Sequence, residues 1–173
     1  MITIQNLDEF LNSLFGDTLA KTRTFDPELG NGKQLELRGD IKKISVGVTL
    51  TEDFITESLR GGADTLVVHH GLKISAPHQI FLPFHTKRLD PLFRHHVNVY
   101  GFHGALDMHQ VIGNNAVIAR ELGGTLVEPY FDQFGWVVDL PSPRNQQELA
   151  KQLSDLTNHD VFSIFSQKET VKR

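Results

Sequence analysis

Apolar and polar residues alternate along this chain with two periods, and the change from one to the other marks its elements. Asn6 can cap a first helix, in which Leu7, Phe10, Leu11 and Leu14 recur at helical spacing. Residues 16–35, "GDTLAKTRTFDPELGNGKQL", are dense in Gly, Asp and Pro turn signals and read as a long loop. "KISVGVTLT" then alternates with period two, which puts Ile44, Val46, Val48 and Leu50 on one face of a strand. Thr51, Glu52 and Asp53 open a helix carrying Phe54, Ile55 and Leu59, and Gly61–Gly62 stops it. "DTLVV" is the next strand, and it runs into His69 and His70. That β–α–β order is the unit of a parallel sheet.

The rhythm continues with a helix in "KRLDPLFRHHV", a strand in "NVYGF" and a helix in "NNAVIARELGG". Strands follow in "GTLVEP" and "FGWVVDL", then a helix in "SPRNQQELAKQLSDL" and a last strand in "VFSIFS". The expected fold class is α/β, a mainly parallel sheet flanked by helices. The pattern changes around "EPYFDQFGW". Residues 1–127 are therefore expected to form one α/β domain, and 128–173 to begin a second segment.

Composition narrows the chemistry. The net charge of −4 gives no bulk electrostatic hold on nucleic acid or anionic lipid. The chain has no cysteine, which excludes disulfides, iron–sulfur clusters and zinc–thiolate sites and fits a cytoplasmic protein. "MITIQNLDEFLNSLF" carries acids and no basic leader, so no signal peptide is expected there. No apolar run approaches the roughly 18 residues of a membrane span, and no membrane partner is expected.

Nine histidines are the unusual feature of this composition. Ligands in open parallel sheets collect beyond the carboxyl ends of strands. Two such ends carry metal-ligating side chains: "TLVVHH" with His69 and His70, and "NVYGFHGALD" with His103 and Asp107. Two adjacent histidines in a continuing strand point to opposite faces, so they converge only if the chain turns, which Gly71 permits. Imidazoles with a carboxylate suit Zn²⁺, Mn²⁺, Fe²⁺ or Ni²⁺ without selecting one. The plainer reading is a polar rim. His95 and His96 close a helix, where a histidine favours the C-terminal dipole. His78, His85 and His109 read as loop residues near the rim. "GNGK" at 30–33 is too short for a phosphate-binding loop and reads as a turn.

"GADTLVVHHGL" followed by "VNVYGFHGALDMHQVIGNNAVIARELG" resembles the GTP cyclohydrolase 1 type 2 family, also called NIF-three-like dinuclear metal proteins. The resemblance covers most of residues 1–125, and "FGWVVDLPSPRNQQELAKQL" extends it. It implies two divalent ions per site, with His69, His70 and Asp107 as ligands. It places His103 beside the metals as a substrate contact or proton carrier. It also implies metal-assisted hydrolysis of a nucleotide or phosphoester and a ring-shaped homo-oligomer, a hexamer in the family.

Two departures stand out. Gly104 and Ala105 replace the Thr and Asn usual in the second motif, and no His-x-x-x-Glu segment follows residue 109. The expectation is a shortened member or a fragment of one. For such a chain, a non-catalytic metal-binding scaffold is the alternative to an enzyme.

Overall fold

Thr3 and Asn6 start the first helix by exchanging hydrogen bonds. The Thr3 hydroxyl accepts the Asn6 N–H at 3.2 Å, and the Asn6 side-chain oxygen accepts the Thr3 N–H at 3.1 Å. Donors left open at a helix start are satisfied in this way. Thr3 is therefore the cap, and Asn6 lies within the first turn. The structure, a computed structural model, describes residues 1–25, 30–72, 81–164 and 170–173. It divides into two compact units, Met1–Leu106 and Asp107–Arg173.

In the first unit, β1 (Ile2–Thr3) leads into α1 (Ile4–Phe25), β2 (Gly32–Leu35), β3 (Asp40–Ile41) and β4 (Ile44–Thr49). Then come α2 (Glu52–Arg60), β5 (Thr65–His70), α3 (Pro83–Arg94), β6 (Asn98–Gly101) and the short α4 (Gly104–Asp107), on whose last residue the second unit opens. The main sheet has the order β2-β6-β5-β4. β4, β5 and β6 run parallel, and β2 is antiparallel to β6.

Alternation along β5 and β6 divides the core between the two sheet faces. Leu66, Val68 and Val99 pack with Ile55 of α2 and Leu92 of α3. Val67, Tyr100 and Phe102 pack with Ile4, Leu7, Leu11 and Phe15 of α1. Each fully buried side chain of this size contributes about 1.5–3 kcal/mol. Helices on both faces are what a parallel sheet requires.

Three expectations change. Residues 16–25 are not loop: α1 runs through Gly16, because its apolar stripe continues to Leu19 and the buried Thr22, whose hydroxyl donates to the Leu19 carbonyl at 3.0 Å. The end of the same stretch forms the edge strand β2. Phe10 points outward, 61% exposed. In β4 the alternation marks the strand but not the face that α2 covers. Val46 and Val48 are 77% and 67% exposed, whereas the Phe54 ring covers Gly47, where a Cβ would stand 2.5 Å from it.

The second unit contains α5 (Asn114–Glu121), β7 (Thr125–Tyr130), β8 (Gly135–Asp139), β9 (Arg144–Asn145), α6 (Gln146–Thr157) and β10 (Thr170–Val171). β7 and β8 do not extend the parallel sheet. They pair antiparallel with each other, around a turn in which Phe131, Asp132 and Gln133 all have positive φ. Residue 128 thus lies inside a strand. β9 pairs antiparallel with β10. Residues 161–164 of the expected last strand have no regular structure, and its end lies outside the described residues. Among the described residues, no helix is long and apolar enough to cross a membrane.

Candidate metal centre

β5 carries its two histidines to the carboxyl end of the parallel strands. The register pairs Val68 with Gly101 and Thr49 with His70. One step beyond Val68 and Gly101, His69 stands level with Phe102. Its Nδ1 donates to the Phe102 carbonyl at 2.9 Å. A carbonyl only accepts, so Nδ1 carries a proton, and the tautomer that this bond selects has its lone pair on Nε2. A ligating histidine is commonly fixed in this way by a bond to its other nitrogen. His70 Nδ1 lies 2.9 Å from the Thr49 hydroxyl.

His103 follows Phe102 off the end of β6 and joins the pair. Its ring stacks on His69 with centroids 4.9 Å apart, and the His69 and His70 rings are 4.4 Å apart. One nitrogen from each of the three lies within 4.8 Å of the others. His69 is buried at 9% exposure, His103 is half-buried and His70 is exposed. The cluster therefore has a fixed inner side and an outer side open to solvent. A donor set of imidazoles, one of them locked in its ligating tautomer, fits a divalent first-row metal ion.

Among the described residues, the group of three does not include the other candidates. Asp107 ends α4, and its carboxylate accepts from the Asn114 side chain at 3.1 Å. His85 Nδ1 accepts the Leu82 N–H at the start of α3. His109 Nδ1 accepts the N–H groups of Val111 and Ile112. His95 and His96 close α3 on the surface, with His96 at positive φ. His78 lies outside the described residues. Sequence reasoning missed Thr49 and the Phe102 carbonyl. Both reach the histidines through strand register, which no local pattern announces.

An α/β sheet with imidazoles gathered at its carboxyl rim defines a class of candidate metal proteins. The family follows from comparison: the chain belongs to the Duf34/NIF3 (NGG1p interacting factor 3) family, whose sequence model matches residues 2–173. It is 37% identical over 97 residues to a GTP cyclohydrolase 1 type 2 homolog of Escherichia coli K12, covering 56% of this chain and 39% of that one. It is 35% identical over 136 residues to the homolog of the same name from Deinococcus radiodurans, covering 76% and 51%. The chain thus spans about half the length of these curated relatives or less.

Among solved structures it resembles ybgI, a protein of unknown function, with a TM-score of 0.86, 28% identity and coverage of 99% of this chain and 67% of that one. It also resembles TTHA1606 from Thermus thermophilus, with a TM-score of 0.81, 28% identity and coverage of 99% and 68%.

Proposed function

We propose that this chain holds divalent metal at the His69–His70–His103 rim, and that the centre serves hydrolysis of a nucleotide or phosphoester. The observation that carries this reading is the convergence of three imidazole nitrogens within 4.8 Å. The His69 tautomer, set by the Phe102 carbonyl, supports it. His69 is the rigid ligand. His70, next to Thr49, is the ligand exposed to solvent. His103 takes the third place, a ligand role where the resemblance implied a substrate contact or proton carrier. Asp107 joins as a carboxylate ligand on the resemblance of its segment alone, as does the second ion.

When bound, a divalent ion at such a centre supplies Lewis acidity and lowers the pKa of water. The name shared by the curated relatives makes GTP the first substrate to try, ahead of other nucleotides and phosphoesters. A homo-oligomer is part of the proposal, supported by the bare valines on edge strand β4.

The test is metal content per chain, measured by plasma mass spectrometry on protein purified without chelator or affinity metal. Near-stoichiometric metal, lost in His69→Ala/His70→Ala, is expected. No metal in the wild-type chain after incubation with Zn²⁺ or Mn²⁺ would refute the reading. His103→Ala is expected to lower metal occupancy. If it keeps full metal and loses only turnover, His103 is the proton carrier instead. Full metal with no turnover on a nucleotide panel would mark a metal-holding scaffold.

A further inference from the structure

The segment Gly30–Gln34 looks like a bare turn in the sequence, yet two of its side chains grip the chain just beyond each group of histidines. Gln34 Oε1 accepts the Leu72 N–H at 2.8 Å. Gln34 Nε2 donates to the Leu72 carbonyl at 3.3 Å and to the Gly30 carbonyl at 2.6 Å. One side-chain amide therefore satisfies both backbone groups of the residue two places after His70. Asn31 does the matching task on the other turn. Its Oδ1 accepts the Ala105 N–H at 3.1 Å, two places after His103.

The seat of Gln34 is made by two glycines. A Cβ on Gly71 would collide with Gln34 Oε1, and one on Gly101 would stand 2.8 Å from Gln34 Nε2. Gly71 does not adopt left-handed backbone. Its missing side chain serves the close approach of Gln34 and not a turn.

We propose that Asn31 and Gln34 are positioning residues for the histidine cluster. His70 is the last residue of β5 and is paired with Thr49 of β4, beyond the end of the β5–β6 register at Val68 and Gly101, and His103 lies past the end of β6. Their ring positions depend on the path that the backbone takes next. The two amides set that path at Leu72 and at Ala105, from one short segment, so both turns are held in a common frame. Ligand geometry is sensitive to such support, and losing an outer partner of a ligand commonly weakens metal binding by about 10- to 100-fold. This inference rests on the metal-binding reading above.

The bonds predict an asymmetry between conservative variants. Asn31 acts as an acceptor towards Ala105, which Asp reproduces. Gln34 donates to two carbonyls, against which a Glu carboxylate is repelled.

The experiment is Co²⁺ titration of the purified chain, following the visible absorption band, beside urea unfolding and NMR of the histidine ring nitrogens. Asn31→Ala and Gln34→Ala are each expected to weaken Co²⁺ binding by about 10- to 100-fold and to shift the band. Asn31→Asp should bind Co²⁺ more tightly than Asn31→Ala, and Gln34→Glu should resemble Gln34→Ala. A merely structural role would lower the urea midpoint and leave the affinity and band of folded protein unchanged, which would overturn the proposal. Asn31→Asp as damaging as Asn31→Ala would also overturn it. Should Gln34→Ala fail to fold, the two Asn31 variants decide. Should the wild-type chain take up no Co²⁺, the metal reading fails separately. The ring-nitrogen shifts of His70 and His103 then judge the positioning, and shifts identical to wild type in both alanine variants would overturn it.

Discussion

Tyr100 shows what one buried hydroxyl does in this fold. It is 1% exposed, and its OH donates to Asp8 Oδ1 at 2.7 Å, while Lys33 Nζ holds Asp8 Oδ2 at 2.8 Å. Burial pushes the phenol's pKa up, and the hydrogen bond to Asp8 and its charge push the same way. A folded pKa above the unfolded value of about 10 gives stability that is complete below pH 10 and is lost as pH rises through the folded value. Lys33 is raised too, through its bonds to Asp8 and Glu36, and loses its contribution in the same direction. Tyr100→Phe is expected to cost about 1–2 kcal/mol at pH 7. Its decline above pH 10 should be shallower than that of wild type but not flat, as urea midpoints at pH 7 and 10.5 will show. Equal slopes would remove Tyr100 from the alkaline transition. The sequence placed Tyr100 on a strand. It could not show Asp8, a partner 92 residues away.

At the scale of elements, α2 offers the simplest check on how local signals set boundaries. The Thr51 hydroxyl accepts the Phe54 N–H at 3.1 Å, and Gly62 at φ +78 ends the helix. Thr51→Ala should cost about 1 kcal/mol and Thr51→Ser much less, read as shifts in thermal midpoint; equal losses would point to packing and not capping. Such caps and glycine stops are legible because they depend on neighbours in sequence. So was the β4–α2–β5 unit. What escaped was set at a distance. Alternation tells which side chains of β4 share a face, but not which face α2 covers, and Val46 and Val48 stand uncovered. The turn residues after Gly16 argued for a loop, yet a stripe continuing to Leu19 and Thr22 kept α1 going. The strand pattern of residues 125–139 identified β7 and β8 but could not specify an antiparallel hairpin.

For the whole molecule, β4 is an edge strand with two bare valines, the kind of edge that invites pairing with another chain. Lys42 and Lys43 precede it, and Glu52 and Asp53 follow it. Two copies laid antiparallel along this edge would set opposite charges beside each other. Sedimentation velocity should show concentration-dependent association that weakens in Val46→Lys/Val48→Lys and in high salt. A monomer at every concentration would end the homo-oligomer proposal. The candidate site was legible in its ingredients, since His69, His70 and His103 all sit at strand ends. Its assembly was not, because Thr49, Phe102, Asn31 and Gln34 reach it only through pairing across the sheet.

That assembly ties the site to the folding equilibrium. His69 and its carbonyl partner Phe102 are 33 residues apart and meet only when β5 and β6 lie side by side. An unfolded chain has no such gathering of imidazoles, so an ion that binds there selects the native chain. Mass action then adds about 2.7 kcal/mol of apparent stability when free metal reaches a hundred times its dissociation constant. Unfolding midpoints should climb with metal concentration and fall back with chelator, and His69→Ala/His70→Ala should not respond. Metal supply would then govern how much folded protein a cell retains, whether or not the centre turns over a substrate.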